Sequence, residues 1–175
     1  MNNKVAAISA FLGGVKNRYV QYEPERSIQE KIEIASRVKG LDGLELCYPA
    51  DFDDVPSLSR MLSGAGLGIS GVNVRSRRNG GWLRGAFTSQ DPSERREVID
   101  TFRFAMDAAS ELGCDRITTC PLNDGHDNVF ELDYFDAYRY CRDSFAGICE
   151  HDPSMRVCIE YKINDPRTRC LLGTA

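Results

Sequence analysis

The chain alternates short β-rich runs with helical patterns from end to end, and that order admits few architectures. Residues 5–11 read as a strand. Ser27-Ile28-Gln29-Glu30 is a capping box, and it opens a helix that sets Ile28, Ile32, Ala35 and Val38 on one face until Gly40 closes it. Residues 44–47 form a second strand. A short helix through Leu58, Met61 and Leu62 stops at Gly64 and Gly66, ahead of a third strand at 67–74. After a long loop, Asp91-Pro92-Ser93-Glu94 combines an N-cap, a first-turn proline and an N3 carboxylate. Val98, Phe102, Ala105, Met106, Ala109 and Leu112 then recur at helical spacing up to Gly113. A fourth strand at 115–120, a helix at 133–151 and a fifth strand at 156–161 complete the order β-α-β-α-β-α-β-α-β.

Alternation of this kind implies an α/β fold, a parallel sheet covered by helices through right-handed crossovers. An open doubly wound sheet and a barrel both satisfy it. Leu12-Gly13-Gly14-Val15 is not the glycine fingerprint of a dinucleotide fold, and a long segment separates it from the next helix. Strand polarity favours a parallel βα barrel. In the fifth strand Val157, Ile159 and Tyr161 share one face, expected to meet the helices, and Cys158, Glu160 and Lys162 the other, which can point into the mouth where barrel active sites lie.

Composition narrows the functional classes. With a net charge of −4, the chain has no general attraction for phosphate backbones, although Arg75, Arg77, Arg78 and Arg84 make one basic stretch, so no nucleic-acid partner is expected. Seven cysteines with no CxxC pair fit reduced, mostly buried thiols, and no apolar run is long enough for a membrane span or signal segment. A cytoplasmic protein without a membrane partner is the expectation. Residues 1–175 are expected to be one domain holding about five of eight βα units and truncated just inside a sixth helical segment that starts near Pro166. Open edges on the first and fifth strands would then favour self-association into a homo-oligomer.

Glu160 and Lys162 are the sharpest local signal, because residues two apart on a strand project into the same space. A carboxylate there can hold a hard divalent cation, and an ammonium can bind a substrate oxygen or stabilise developing negative charge. A structural ion pair is the alternative. Trp82 and its neighbouring arginines lie in the long third loop, either as a pocket wall or as a solvated loop. Asn73 and Arg75 alternate with Val72 and Val74 and can face the mouth. His126, in Asn123-Asp124-Gly125-His126-Asp127, is either an exposed turn histidine or a substrate contact, and His151 is a helix-end dipole partner. Asp51, Asp53 and Asp54 lack the rest of a calcium loop and read as capping for the helix that begins at Val55-Pro56.

Ile159-Glu160-Tyr161-Lys162-Ile163-Asn164-Asp165-Pro166 resembles the xylose isomerase signature Ile-Glu-Pro-Lys-Pro-Asn-Glu-Pro, with two prolines replaced and an aspartate for the glutamate. Looser matches at Gly43-Leu44-Glu45-Leu46, Glu111-Leu112-Gly113-Cys114 and Asn123-Asp124-Gly125 extend the likeness to the wider xylose isomerase-like TIM barrel group of sugar isomerases and epimerases. The resemblance implies an isomerase using a divalent metal, Mn²⁺ first and Mg²⁺, Co²⁺ or Zn²⁺ as alternatives, on a small sugar in carbohydrate metabolism. By the same likeness Glu160 is the fifth-strand metal ligand; with Lys162 beside it, it makes the catalytic pair, and Trp82, Asn73, Arg75 and His126 are substrate-binding candidates from their places on strands and loops. The ligands that such barrels carry on later strands have no counterpart here, and the early His-Asp pair of true xylose isomerases is absent, the second strand ending in Cys47-Tyr48-Pro49. Two other readings stay open: a truncated, noncatalytic half-barrel, and a zinc-dependent abasic-site endonuclease relative, for which the early histidines are lacking.

Overall fold

The computed structural model describes residues 3–15, 20–76, 82, 85–122, 124–126, 128–162 and 169–173. Five strands, β1 (Ala6–Ile8), β2 (Gly43–Tyr48), β3 (Gly68–Val74), β4 (Arg116–Thr119) and β6 (Arg156–Ile159), form one parallel sheet in chain order. Helices α1 (Ile28–Ser36), α2 (Val55–Gly64), α3 (Pro92–Glu111) and α4 (Tyr134–Cys149) connect them. The sequential order is the one the alternation predicts and excludes the open sheet with its reversed strand order. A short antiparallel pair was not foreseen: β5 (Gly125–His126) meets β7 (Arg169–Cys170), with Gly125 opposite Cys170 and His126 opposite Arg169. No helix among the described residues is long and apolar enough to cross a membrane.

The chain packs as two compact units, Met1–Asn73 with Ala108–Arg116, and Val74–Asp107 with Ile117–Ala175. In the first, β1 and β2 pair in parallel with Ala7 opposite Leu44. The capping box is formed as read: Ser27 Oγ accepts from the Glu30 backbone N–H, and Glu30 accepts from the Ser27 N–H at 2.7 Å. Ile32 and Ala35 of α1, Leu58 and Leu62 of α2, and Leu44 and Leu46 of β2 make the core. Each such leucine withdraws enough apolar surface to stabilise the fold by about 1.5–3 kcal/mol. Val38, expected on the buried face, lies beyond the end of α1 and is exposed. Gly43 is required by close packing, since a Cβ there would lie 2.6 Å from the Gly68 carbonyl oxygen.

In the second unit Asp91 accepts from the Ser93 N–H at 2.7 Å at the start of α3, and Asp133 accepts from the Asp136 N–H at 3.1 Å at the start of α4. The rings of Phe87, Phe102 and Phe145 pack together, with centroids 4.5 Å apart for Phe87–Phe145 and 5.2 Å for Phe87–Phe102. This arrangement gains from ring-edge electrostatics as well as from burial. Ile159 and Tyr161 are exposed rather than covered by a helix, and no helix follows β6 among the described residues.

The aspartates ahead of α2 differ from the capping expectation. Asp54 holds the N-cap position without a side-chain hydrogen bond. Asp51 is buried and accepts from Ser9 Oγ at 2.5 Å, the Cys47 N–H at 2.8 Å and Lys31 Nζ at 3.0 Å. A buried lysine therefore binds the loop after β2 to α1, a long-range pairing that local spacing cannot reveal.

Candidate active site

The carboxyl ends of three strands are stitched together in the second unit. Thr119 Oγ1 donates to the Val74 carbonyl at 2.9 Å, and the Glu160 N–H donates to the Thr119 carbonyl at 2.8 Å. One residue further along, Ser76 Oγ reaches the Cys120 carbonyl at 3.5 Å. These bonds set Arg75, Ser76, Cys120 and Glu160 at one end of the sheet, the end at which a parallel barrel carries its chemistry.

Glu160 and Lys162 meet there, with Lys162 Nζ 2.8 Å from Glu160 Oε1 and both side chains more than half exposed. The hydrogen bond to Glu160, followed by that carboxylate's charge, raises the Lys162 pKa above the ordinary lysine value. An exposed pair of this kind contributes little to stability, so both groups can exchange each other for a ligand at small cost. Arg75 is exposed beside the buried Val74 and Ser76, in keeping with strand alternation. Asn73 is half-buried on β3, in the first unit.

Trp82 and His126 are buried, so neither the solvated loop nor the exposed turn describes them. The Trp82 indole N–H donates to Glu97 on α3 at 3.3 Å, which ties its loop to the helix. His126 is drawn inward by the β5–β7 pairing. Its Nε2 lies 2.5 Å from the Tyr134 hydroxyl, the two rings meet edge to face, and its Nδ1 is buried without a partner among the described residues. His151, exposed at the end of α4, lies 2.7 Å from Asp107. Asn164 and Asp165, which carry part of the signature likeness, lie outside the described residues, as do Arg77, Arg78, Arg84, Asn123 and Asp127.

Sequence reading overlooked Asp124. Its Oδ1 accepts from the N–H groups of Ala86 and Thr88 at 2.9 and 2.8 Å and from Thr88 Oγ1 at 2.7 Å. Burial pushes this carboxyl up to about 6, against the lowering effect of those bonds. The Cys141 thiol is pushed up to about 12, by burial first and then by the Asp124 charge. The turn that Asp124 holds depends on Gly85, whose φ of +105° suits glycine and whose Cβ would run into Thr88 Oγ1. Gly85→Ala should lower stability by about 1–3 kcal/mol, seen as a lower denaturant midpoint at unchanged slope. An unchanged midpoint would show that the turn is not held as described.

Residues 32–168 match the family model described as xylose isomerase-like TIM barrel. The chain belongs to that family. Among solved structures, this xylose isomerase-like chain is similar to an L-ribulose 3-epimerase (19% identity, TM-score 0.68, 98% of this chain and 53% of that one). It is similar also to a D-psicose 3-epimerase from Clostridium cellulolyticum H10 (15%, 0.68, 94% and 54%). A third likeness is to the IolI protein with a bound zinc atom (13%, 0.67, 97% and 54%). The xylose isomerase-like chain thus spans about half the length of these structures, and at such identities the likeness shows the fold. No curated protein sequence matches it. For a divalent metal, Glu160 offers one oxygen-bearing ligand, but no group of three or more His, Cys, Asp or Glu side chains among the described residues could hold the ion. By themselves they do not make a metal centre.

Proposed function

We propose that the protein is a divalent-metal-dependent isomerase or epimerase of a small sugar, with Glu160 as a metal ligand and Lys162 as the donor to a substrate oxygen. The supporting observation is the position of this pair: side by side, exposed, and at the carboxyl end of β6 in a xylose isomerase-like barrel. The sugar epimerases among the similar structures agree with this substrate class. When bound, a divalent ion such as Mn²⁺ supplies Lewis acidity to the substrate's oxygens. Glu160 would hold it only together with ligands from outside the described residues. The chain's own contribution is to keep a negative ligand and a cationic hydrogen-bond donor within one hydrogen bond of each other. Seven cysteines with no disulfide among them support a cytoplasmic setting.

Calorimetric titration with Mn²⁺, on the protein at its natural length, separates the two roles. Glu160→Gln keeps the shape but loses the charge that offsets the desolvation of the cation, and affinity should fall by about 10–100-fold. Lys162→Met should leave affinity within about threefold of wild type, because it removes a substrate contact and not a ligand. Equal affinity in wild type and Glu160→Gln would remove Glu160 from the metal site.

A further inference from the structure

Strand alternation sets four side chains on one face at the carboxyl end of the second unit. Val74, Ser76 and Thr119 are buried on the other face, so Arg75 after β3 and Cys120 after β4 point away from them, Arg75 exposed and Cys120 half-buried. In a parallel ladder an N–H bonds the carbonyl of the residue that precedes its opposite neighbour. The bond from the Glu160 N–H to the Thr119 carbonyl at 2.8 Å therefore puts Glu160 level with Cys120, with Lys162 two residues further along the same face. The Cys120 and Cys170 thiols are within electrostatic range of the Lys162 ammonium, in agreement with this register. Arg75 and Lys162 thus stand on either side of Cys120, since β4 lies between β3 and β6. Two strand spacings separate their backbones, about 9–10 Å, and the residue between them carries only a short side chain.

Both cations are anchored through their backbones. The Lys162 N–H donates to the Leu172 carbonyl at 3.0 Å, and the Tyr138 hydroxyl of α4 holds the adjoining Leu171 carbonyl at 3.1 Å. Arg75 is flanked by two tethers to β4, from Thr119 Oγ1 to the Val74 carbonyl and from Ser76 Oγ to the Cys120 carbonyl. Of the four side chains two are cationic and one, Glu160, is anionic, so the group carries a net positive charge. Oxygens of an anionic ligand meet such a pair with charge-assisted hydrogen bonds, the guanidinium forking onto two of them and the ammonium reaching a third. We propose that Arg75 and Lys162 clamp an anionic group of the substrate, a phosphate ester or a carboxylate, across Cys120, so that the preferred substrate is a sugar phosphate or a sugar acid. The sugar in this assignment rests on the isomerase reading above, whereas the clamp itself needs neither metal nor turnover. A neutral sugar lacks the partner for Arg75 and is bound more weakly. The clamped group keeps its charge throughout an isomerisation, so Arg75 acts on KM and leaves kcat nearly unchanged.

Calorimetric titration of the metal-free, natural-length protein with a ketopentose phosphate, an aldonate and the neutral ketopentose tests the clamp without any activity assay. In the wild type at least one anionic sugar should bind about tenfold or more tightly than the neutral one, and the tighter of the two identifies the clamped group. Arg75→Gln should abolish that preference, and Arg75→Lys should restore part of it, because an ammonium keeps the charge but not the fork. Arg142→Gln, which removes an exposed arginine of α4, should leave the preference unchanged and so exclude a general effect of net charge. Equal affinity for charged and neutral sugars in the wild type would overturn the proposal, a comparison that needs no variant to fold. A preference that survives Arg75→Gln would overturn it as well. Turnover with Mn²⁺ separates this from the isomerase reading. If no sugar is converted while anionic sugars still bind through Arg75, the isomerase reading fails and the clamp stands; if anionic and neutral sugars are converted with equal KM, the clamp fails and the isomerase reading stands.

Discussion

Asp51→Ala should destabilise the protein by about 3–5 kcal/mol, because it leaves a buried ammonium without its partner. Lys31 is 5% exposed, and Asp51 meets its Nζ at 3.0 Å, whereas the next carboxylate, Glu25, stands 3.6 Å away and half exposed. The same substitution also removes the acceptor for the Cys47 N–H and for Ser9 Oγ. Against a total stability of roughly 5–15 kcal/mol such a loss is large, and it should appear in urea as a much lower midpoint with an unchanged slope. Removing both charges in Asp51→Leu with Lys31→Met should recover the part due to the bare ammonium, while the part due to the lost acceptor for the Cys47 N–H and Ser9 Oγ persists. A single substitution costing less than about 1 kcal/mol would show that the pair is not buried as described.

The contrast between Asp51 and the capping box shows what a sequence can convey about this fold. Ser27 and Glu30 act within one helical turn, so their spacing is their structure, and the same holds for Asp91 and Asp133 at the starts of α3 and α4. Strand order followed from connection length and handedness, which are properties of the chain as well. Asp51, Asp124 and His126 act on residues distant in sequence or through pairing with a distant strand. Asp124 binds Ala86 and Thr88 across 38 and 36 positions. The β5–β7 pair is two residues long on each side, too short for any periodicity, and it is this pair that draws His126 inward. Strand parity placed Glu160 beside Lys162 correctly, because alternation is local. It misjudged Ile159 and Tyr161, whose exposure depends on whether another element lies against them.

The other large effect concerns turnover. Glu160 presents its charge at the carboxyl end of β6 with Lys162 in contact with its side chain, so an amide there preserves shape while removing the negative charge. Loss of a group that stabilises the transition state electrostatically costs roughly 10³-fold in rate, or about 4 kcal/mol. Lys162→Met should cost about 10²-fold, with metal affinity retained. The decisive measurement is a chromatographic assay of the natural-length protein with Mn²⁺ and a panel of small ketoses and aldoses, run in parallel on Glu160→Gln. The wild type is expected to convert at least one sugar to its epimer or isomer, and Glu160→Gln to lose this conversion by about three orders of magnitude. Wild-type rates in Glu160→Gln, or no conversion of any sugar by the wild type, would contradict it.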